Sequence, residues 1–245
     1  MSLPFSAMVI SLERTPERLS RFRKQFDPSL RDQVVLMPAI DGKNLDLESL
    51  LDSGDLSESA LNWPKGQVGC ALSHRACWQA CQEKDEPLLI MEDDVVIPPD
   101  WECVVQNQIE NIKSKDWDLL MLGWNFDSGL SAEWAPGQCF TALFRPRYNN
   151  YDELLKALSF QSTRSWLRLR MLFGPAAYFI SPVGAKKLLK LTRPLMSTPI
   201  YNPELSNRVA YSLDGQLNSL YSELNAWVLF PPLMAGENNQ QESLT

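Results

Sequence analysis

The sequence is poor in several features that define common protein classes. It has one histidine and five cysteines without a CxxC pair, and no apolar run reaches the ~18 residues of a membrane span. The N-terminus lacks the charged and then apolar pattern of a secretion signal. One histidine is too few for most two-metal phosphoesterase centres. The unpaired cysteines predict reduced thiols and a cytoplasmic protein.

No Gly/Ser-rich or repetitive linker divides the chain, so we expect a single domain over residues 1–245. The net charge of −7 is unevenly distributed, because residues 145–193 carry ten Lys or Arg and only two acids. That segment is therefore +8 and the remainder −15. The asymmetry predicts an anionic partner on one face. The pI near 4.9 argues against nucleic acid as that partner.

Within this basic segment, residues 166–173 (WLRLRMLF) mix cations with bulky apolar side chains. Such a stretch is compatible with peripheral contact of residues 145–193 with an anionic membrane, at its inner, cytoplasmic face. It is equally compatible with an ordinary helix that has a solvated basic side. Both interpretations stay open at this point.

Three consecutive acids in residues 88–97 (LLIMEDDVVI) are the most informative feature of the chain. The apolar flanks and the two prolines that follow predict a central strand whose C-terminal end becomes polar, where ligands of open α/β sheets bind. Neighbouring carboxylates repel one another unless a cation or proton lies between them. Glu92, Asp93 and Asp94 therefore predict a Mg²⁺ or Mn²⁺ site. The alternative is that the aspartates cap a turn, with the glutamate in solvent.

A predicted strand at residues 7–12 leads directly into a helix start with Thr15 as N-cap and Pro16 as first helical residue. Free backbone N–H groups at such a junction are suited to bind phosphate. Arg14 and Arg18 stand near it and could hold a diphosphate. The alternative is that both arginines pair with the neighbouring glutamates.

Residues 65–70 lead into a helix that is predicted to run to about residue 82. His74 lies in the first turns of this helix, and any imidazole chemistry must use it. The alternative is a hydrogen-bonded packing residue. Asp214 stands at a second helix start, either as its N-cap or as a functional acid. Three cysteines on one face of the first helix predict a buried stripe rather than a metal site: Cys70, Cys77 and Cys81.

Strands and helices alternate along most of the chain, which predicts an α/β fold. Further strands are expected near residues 34–40, 117–124, 173–182 and 228–233, and further helices near 101–113 and 183–191.

Five sequence blocks occur in a characteristic order: residues 9–18 (VISLERTPER), 69–74 (GCALSH), 89–94 (LIMEDD), 177–181 (AYFIS) and 231–233 (PPL). Together they resemble glycosyltransferase family 25, which includes bacterial lipooligosaccharide galactosyltransferases and the collagen galactosyltransferase domain. The resemblance extends from residue 8 to about 233. The second block and the acidic triplet are its most specific parts.

The resemblance implies a GT-A fold, a Rossmann-like nucleotide-sugar-binding sandwich with a mixed sheet flanked by helices. It also implies a cation held by a DxD-like motif. Glu92 stands where the first aspartate of this motif usually stands, so Asp94, with Asp93, is the surer ligand. Residues implied to line the nucleotide pocket or to lie close to the donor are Ser11, Leu12, Arg14, Arg18, Gly69, Ser73, His74 and Asp93.

By the same resemblance, the protein would transfer a hexose, foremost galactose, from a UDP-sugar to a hydroxyl of a glycan or lipid-linked saccharide. The reaction would serve lipopolysaccharide biosynthesis, invert the anomeric centre and require Mn²⁺ or Mg²⁺. The basic segment at about 125–172 would contact the acceptor. Asp214 is the first candidate for the base or a second metal contact, followed by His74 and Glu92.

Two other functions stay open. One is a catalytically silent nucleotide-sugar or glycan-binding protein of the same fold, and the other is a metal-dependent phosphoesterase.

Overall fold

A computed structural model describes residues 3–144, 150–160, 163–201 and 208–237 of the chain. The strands in chain order are β1 (Ser6–Ser11), β2 (Val34–Pro38), β3 (Leu88–Glu92), β4 (Val95–Val96), β5 (Leu119–Trp124), β6 (Gly129–Ala135), β7 (Gln138–Leu143), β8 (Ser165–Leu172), β9 (Pro175–Ile180), β10 (Thr198–Ile200), β11 (Arg208–Ala210), β12 (Ala226–Phe230) and β13 (Met234–Gly236).

The α-helices are α1 (Pro16–Arg23), α2 (Pro28–Arg31), α3 (Leu47–Asp52), α4 (Lys65–Lys84), α5 (Trp101–Ile112), α6 (Tyr151–Leu158), α7 (Pro182–Leu191) and α8 (Leu213–Leu220). Two short 3₁₀ helices cover Gly42–Asn44 and Glu58–Asn62. Among the helices in the described ranges, none is long and apolar enough to cross a membrane.

The described residues form one eleven-stranded mixed sheet with the order β2-β1-β3-β9-β5-β12-β8-β6-β7, extended by β13 and β4. β1 is parallel to both β2 and β3, whereas β9 runs antiparallel between β3 and β5. A separate antiparallel pair joins β10 and β11. The expected α/β architecture, a mixed sheet flanked by helices, is confirmed.

The acidic strand β3 is central because its apolar side chains are buried on both faces of the sheet. Leu88 and Ile90 pack on the face covered by α4, α7 and α8. Leu89 and Met91 pack on the opposite face, against residues of α1 and α5. Side chains of a strand alternate between faces, so two buried faces require an uninterrupted apolar run. The run ends at Glu92, where the strand leaves the sheet.

This topology gathers five polar segments at one edge of the sheet. The C-terminal ends of β1, β2, β3 and β5 meet there, and the start of the antiparallel strand β9 lies among them. Ligands of open α/β sheets bind at this edge. The acids predicted to bind a cation are therefore placed where such a fold binds its ligands.

The interpretation of residues 166–173 as a helix is wrong, because residues 166–172 lie in strand β8, paired with β12 and β6. The sequence alternates apolar and basic residues with period two, which fits a strand better than a helical face. Arg168 donates to the carbonyl of Leu224 at 2.8 Å, and Arg170 is paired with Glu133. These two cations therefore have partners within the protein.

The strands β1, β2, β3, β5, β9 and β12 and the helices α1, α4, α5, α7 and α8 lie near their predicted positions, with shifts at their ends, whereas the helices α2 and α6 were not predicted. The strands β4, β6, β7, β10, β11 and β13 were not anticipated as separate elements. Parts of the basic segments 125–172 and 145–193, at residues 145–149 and 161–162, lie outside the described residues, as does the polar tail from residue 238.

Gly69 allows the first turns of α4 to approach the loop that follows β2. A Cβ atom at this position would overlap the carbonyl oxygen of Ile40 and lie 2.8 Å from the backbone nitrogen of Gly42. Both neighbours are backbone atoms, so neither can yield by a side-chain rotation. The close approach fixes the helix that carries Cys70 and His74 against the edge of the sheet.

We expect Gly69→Ala to lower the free energy of unfolding by about 2 kcal/mol, since the added methyl group forces helix and loop apart. Urea denaturation monitored by circular dichroism measures this loss. Gln79→Ala, at an exposed position of the same helix, is the matched control and should stay within about 0.5 kcal/mol of the parent. Equal stability of the two variants would contradict the packing role of Gly69.

Candidate active site

A cavity of about 960 Å³ opens at the edge of the sheet where the polar segments meet. Ser11 and Leu12 line it at the end of β1, residues 39–42 after β2, residues 92–94 at the end of β3 and residues 173–175 at the start of β9. All three members of the acidic triplet face this cavity. The alternative that the triplet merely caps a turn, with the glutamate in solvent, is wrong, because Asp93 pairs with Arg18 and Glu92 contacts His74.

Asp93 is held in place by two partners within the protein. Its Oδ2 accepts a hydrogen bond from the Ser11 hydroxyl at 2.6 Å, and its Oδ1 lies 2.6 Å from an Nη atom of Arg18. Burial raises the pKa of Asp93, opposed by the positive charge of Arg18. Each oxygen of Asp93 therefore has one protein partner, and the ion pair fixes Arg18 beside the acids.

Asp94 keeps one oxygen without a partner. The same Arg18 Nη atom lies 3.1 Å from its Oδ2, whereas its Oδ1 is buried and has no hydrogen-bond partner among the residues that the structure describes. Burial and then the negative charge of Glu92 raise the pKa of Asp94 to about 7. Glu237 adds further negative charge and donates its backbone N–H to the Asp94 carbonyl.

Arg18 is the cation that balances these acids. Burial alone would lower its pKa, but the negative charges of Asp94 and Asp93 raise it. Its Nε is buried and has no partner within the described ranges. Arg18 therefore retains one hydrogen-bond donor in the wall of the cavity.

Glu92 belongs to a chain of hydrogen bonds that runs from the cavity into the core. Its Oε1 lies 3.1 Å from Nε2 of His74, whose Nδ1 lies 2.8 Å from the Tyr178 hydroxyl. Trp78 donates its Nε1–H to the same hydroxyl at 2.9 Å. A carboxylate only accepts, so His74 carries a proton on Nε2 and donates it to Glu92. Both ring nitrogens of His74 are thereby occupied.

The two predicted phosphate-binding arginines have different positions. Arg14 does not line the cavity and pairs at 2.7 Å with Asp41, a cavity residue that follows β2. Arg18 and, one turn further along α1, Arg21 line the cavity. Arg14 and Arg18 pair with aspartates that follow β2 and β3 rather than with the glutamates next to them in the sequence, because the sheet brings these aspartates closer. Thr15 is the N-cap of α1, but its side chain makes no capping hydrogen bond.

The GCALSH block supplies both packing groups and cavity groups. Gly69 packs against the loop after β2 and does not line the cavity, whereas Cys70 lines it. The Ser73 hydroxyl donates to the Gly69 carbonyl at 2.7 Å and accepts from the Ile40 N–H at 2.8 Å. The buried stripe predicted for the cysteines holds for Cys77 and Cys81.

Asp214 lines the cavity and is anchored to its wall. Oδ2 accepts from the Gly174 N–H at 3.1 Å, and Oδ1 accepts from the Gly215 N–H at 2.7 Å and from the Ser212 hydroxyl. A carboxylate has about four lone-pair sites, so one is left for a ligand. Ser212 and not Asp214 is the N-cap of α8, which corrects the N-cap interpretation.

Sequence reasoning missed several cavity residues because they belong to no recognisable motif. Asn125 and Asp127 follow β5, and Tyr211 follows β11. Arg208 lies with its guanidinium 5.5 Å from the centre of the Phe173 ring. Only the position of Asn125 and Asp127, after a predicted buried strand, could have indicated them.

The acids fit a hard divalent cation. The unpartnered Oδ1 of Asp94 and the carboxylate of Glu92 offer oxygen ligands, which Mg²⁺ and Mn²⁺ prefer. The surplus of negative charge that raises the pKa of Asp94 favours a cation between the carboxyl groups. Asp93 supports this arrangement because its ion pair holds Arg18 beside the other two acids.

We expect Arg18→Ala to lower the free energy of unfolding by about 3 kcal/mol, because it leaves the buried Asp93 without its cation. Arg14→Ala removes a more exposed pair and should cost less than about 1 kcal/mol. Urea denaturation at neutral pH compares the two variants. Similar losses would show that Arg18 does not hold the acidic cluster together.

Comparison with known proteins gives several similarities. Aedes aegypti Glycosyltransferase 25 family member is 32% identical over 124 residues, which are 47% of this chain and 20% of that protein. Human Procollagen galactosyltransferase 2 is 27% identical over 126 residues, which are 47% of this chain and 20% of that protein. Mouse Inactive glycosyltransferase 25 family member 3 is 31% identical over 143 residues, 53% of this chain and 24% of that protein.

Among solved structures, the inositol-1-phosphate CTP transferase from T. maritima gives a TM-score of 0.39 at 12% identity, covering 94% of this chain and 87% of that chain. The matched region is about a fifth to a quarter of the length of the three relatives above. The family described as Glycosyltransferase family 25 (LPS biosynthesis protein) matches residues 5–202. This match covers most of the chain, which therefore belongs to glycosyltransferase family 25.

Proposed function

We propose that this protein transfers a hexose, foremost galactose, from a UDP-sugar to a hydroxyl of a glycan or lipid-linked saccharide, with inversion and with Mn²⁺ or Mg²⁺. The observation that carries the proposal is Asp94, a residue of the cavity wall, whose Oδ1 has no partner among the described residues while its Oδ2 is paired with Arg18. A galactosyltransferase among the relatives supports the choice of sugar.

In this proposal Asp94 and Glu92 hold the cation, which when bound neutralises negative charge on the diphosphate leaving group. Arg18 donates its free Nε–H to the same diphosphate. Ser11 keeps Asp93, and through it Arg18, in the required position. The cavity walls limit the access of water, which would otherwise hydrolyse the donor.

Asp214 is the proposed base for the acceptor hydroxyl. Three hydrogen bonds fix its carboxylate in the cavity wall, and its remaining lone pair can accept the hydroxyl proton. His74 is less suited, because its two nitrogens are occupied by Glu92 and Tyr178. His74 instead orients Glu92.

Two other functions have specific arguments. Inactive relatives in mouse and human favour a binding protein without activity, but a binding role alone gives no reason to retain a buried, unpartnered carboxylate oxygen. A phosphoesterase would hydrolyse the donor without an acceptor, and the family match argues against it.

We expect wild-type protein to transfer or hydrolyse a UDP-hexose with Mn²⁺ present, and Asp94→Asn to lose this activity while it keeps its fold, since the substitution removes a ligand charge. UDP with Mn²⁺ should raise the melting temperature of the wild type by mass action and raise that of the variant much less.

The matched control is Asp32→Asn, an exposed position at the end of α2, which should behave as the wild type. A panel of UDP-sugars with and without saccharide acceptors identifies the donor and separates transfer from hydrolysis. Full manganese-dependent activity in Asp94→Asn would refute the proposed site.

We expect Asp214→Asn to lower kcat about 100-fold or more with little change in KM for the donor, because the amide takes up no proton. Steady-state kinetics with the donor identified above measures the effect. A change confined to KM would assign Asp214 to substrate binding instead.

A further inference from the structure

Cys70, His74 and Glu92 bring three different ligand types together in the cavity. Cys70 and His74 are four residues apart on α4, so their side chains lie on the same face of the helix. Glu92 ends β3 opposite that face. The sulfur, a ring nitrogen and a carboxylate oxygen all lie within 4.8 Å of one another.

This spacing is close to that of a tetrahedral zinc site. Zinc bonds of about 2.0 Å to nitrogen or oxygen and about 2.3 Å to sulfur place the ligand atoms roughly 3–4 Å apart. His74 Nε2 and the Glu92 oxygen are already 3.1 Å apart. A small inward movement of the Cys70 side chain would complete the set.

We propose that Cys70, His74 and Glu92 form a site for a thiophilic divalent cation, zinc(II) above all, with a fourth position open to the cavity. Binding displaces the thiol proton of Cys70 to solvent and moves the His74 proton from Nε2 to Nδ1. Cys70 is half-buried at the cavity wall, unlike the fully buried Cys77 and Cys81 of the same helix.

The surroundings of His74 suit a metal ligand. A ligating histidine usually donates its other ring N–H to an oxygen acceptor, which fixes the ring. The Tyr178 hydroxyl lies 2.8 Å from Nδ1 and is itself held by the Trp78 Nε1–H. The negative charges of Glu92, Asp214 and Asp94, which with burial raise the pKa of the Cys70 thiol, also attract a cation.

The zinc site differs from the hard-cation site in its ligands. Thiolate and imidazole favour zinc, whereas the carboxylate oxygens at Asp94 favour Mg²⁺ or Mn²⁺. Glu92 belongs to both sets, so zinc withdraws one ligand from the other cation. Zinc would therefore inhibit the manganese-supported reaction, a consequence that rests on the proposed function.

Cobalt(II) absorption spectroscopy tests the site without any substrate. We expect the wild type to show a thiolate-to-cobalt charge-transfer band and intense tetrahedral bands, which zinc abolishes by displacement. Cys70→Ser should lose the charge-transfer band, and Cys103→Ser, at an exposed position on α5, should retain it. A wild-type spectrum without this band, or an unchanged band in Cys70→Ser, would overturn the proposal.

Zinc X-ray absorption on the wild type gives a second test that needs no variant. We expect one sulfur atom bonded to zinc at about 2.3 Å, and a zinc environment of oxygen and nitrogen alone would overturn the site. Asp94→Asn should retain the cobalt charge-transfer band. Failure of the transferase proposal and failure of the zinc site are therefore distinguished, because the spectra need no nucleotide sugar.

Discussion

The ion pairs of Arg18 with Asp93 and Asp94 are the interaction on which the site depends. Three consecutive acids at the end of a buried strand would repel one another, and a single guanidinium from α1 lies against two of them. The order β2-β1-β3 makes this contact feasible, because α1 starts directly after the strand next to β3. One Asp94 oxygen nevertheless has no partner within the part of the chain that the structure describes. The protein therefore neutralises its acids only in part and leaves room for a ligand.

The general layout of the fold and the location of the site could be predicted from the sequence. The apolar flanks of residues 88–97 indicate a strand buried on both faces, and acids at its C-terminal end indicate the ligand-binding edge. The partner of Arg18 could not be predicted, because it depends on the pairing of β1 with β3. The sequence alone offers the glutamates next to Arg18 as its partners, because it shows which residues are close along the chain but not which strands are neighbours in the sheet. The strand at residues 166–172 could have been predicted, because apolar and basic residues alternate there with period two, which is typical of a strand and not of a helical face.

The GCALSH block shows why a motif does not assign roles to its members. Successive helical residues point in different directions, so Gly69 meets the loop after β2, whereas Cys70 faces the cavity and His74 faces Glu92. Ser73 ties its own helix to that loop. The resemblance could place the block near the donor, but only the packing of α4 separates supporting residues from those that can contact a ligand. Asp127 and Tyr211 belong to no motif and line the cavity only because the strand order places the segments after β5 and β11 there.

The hydrogen-bond chain from Trp78 through Tyr178 and His74 to Glu92 links the apolar interior with the cavity. Trp78 is fully buried and belongs to the packing of α4 against the sheet. Its indole therefore fills volume and also sets the orientation of a distant carboxylate. Attempts to redesign the interior for heat tolerance would alter ligand affinity if they replaced this tryptophan by an aliphatic residue of suitable size.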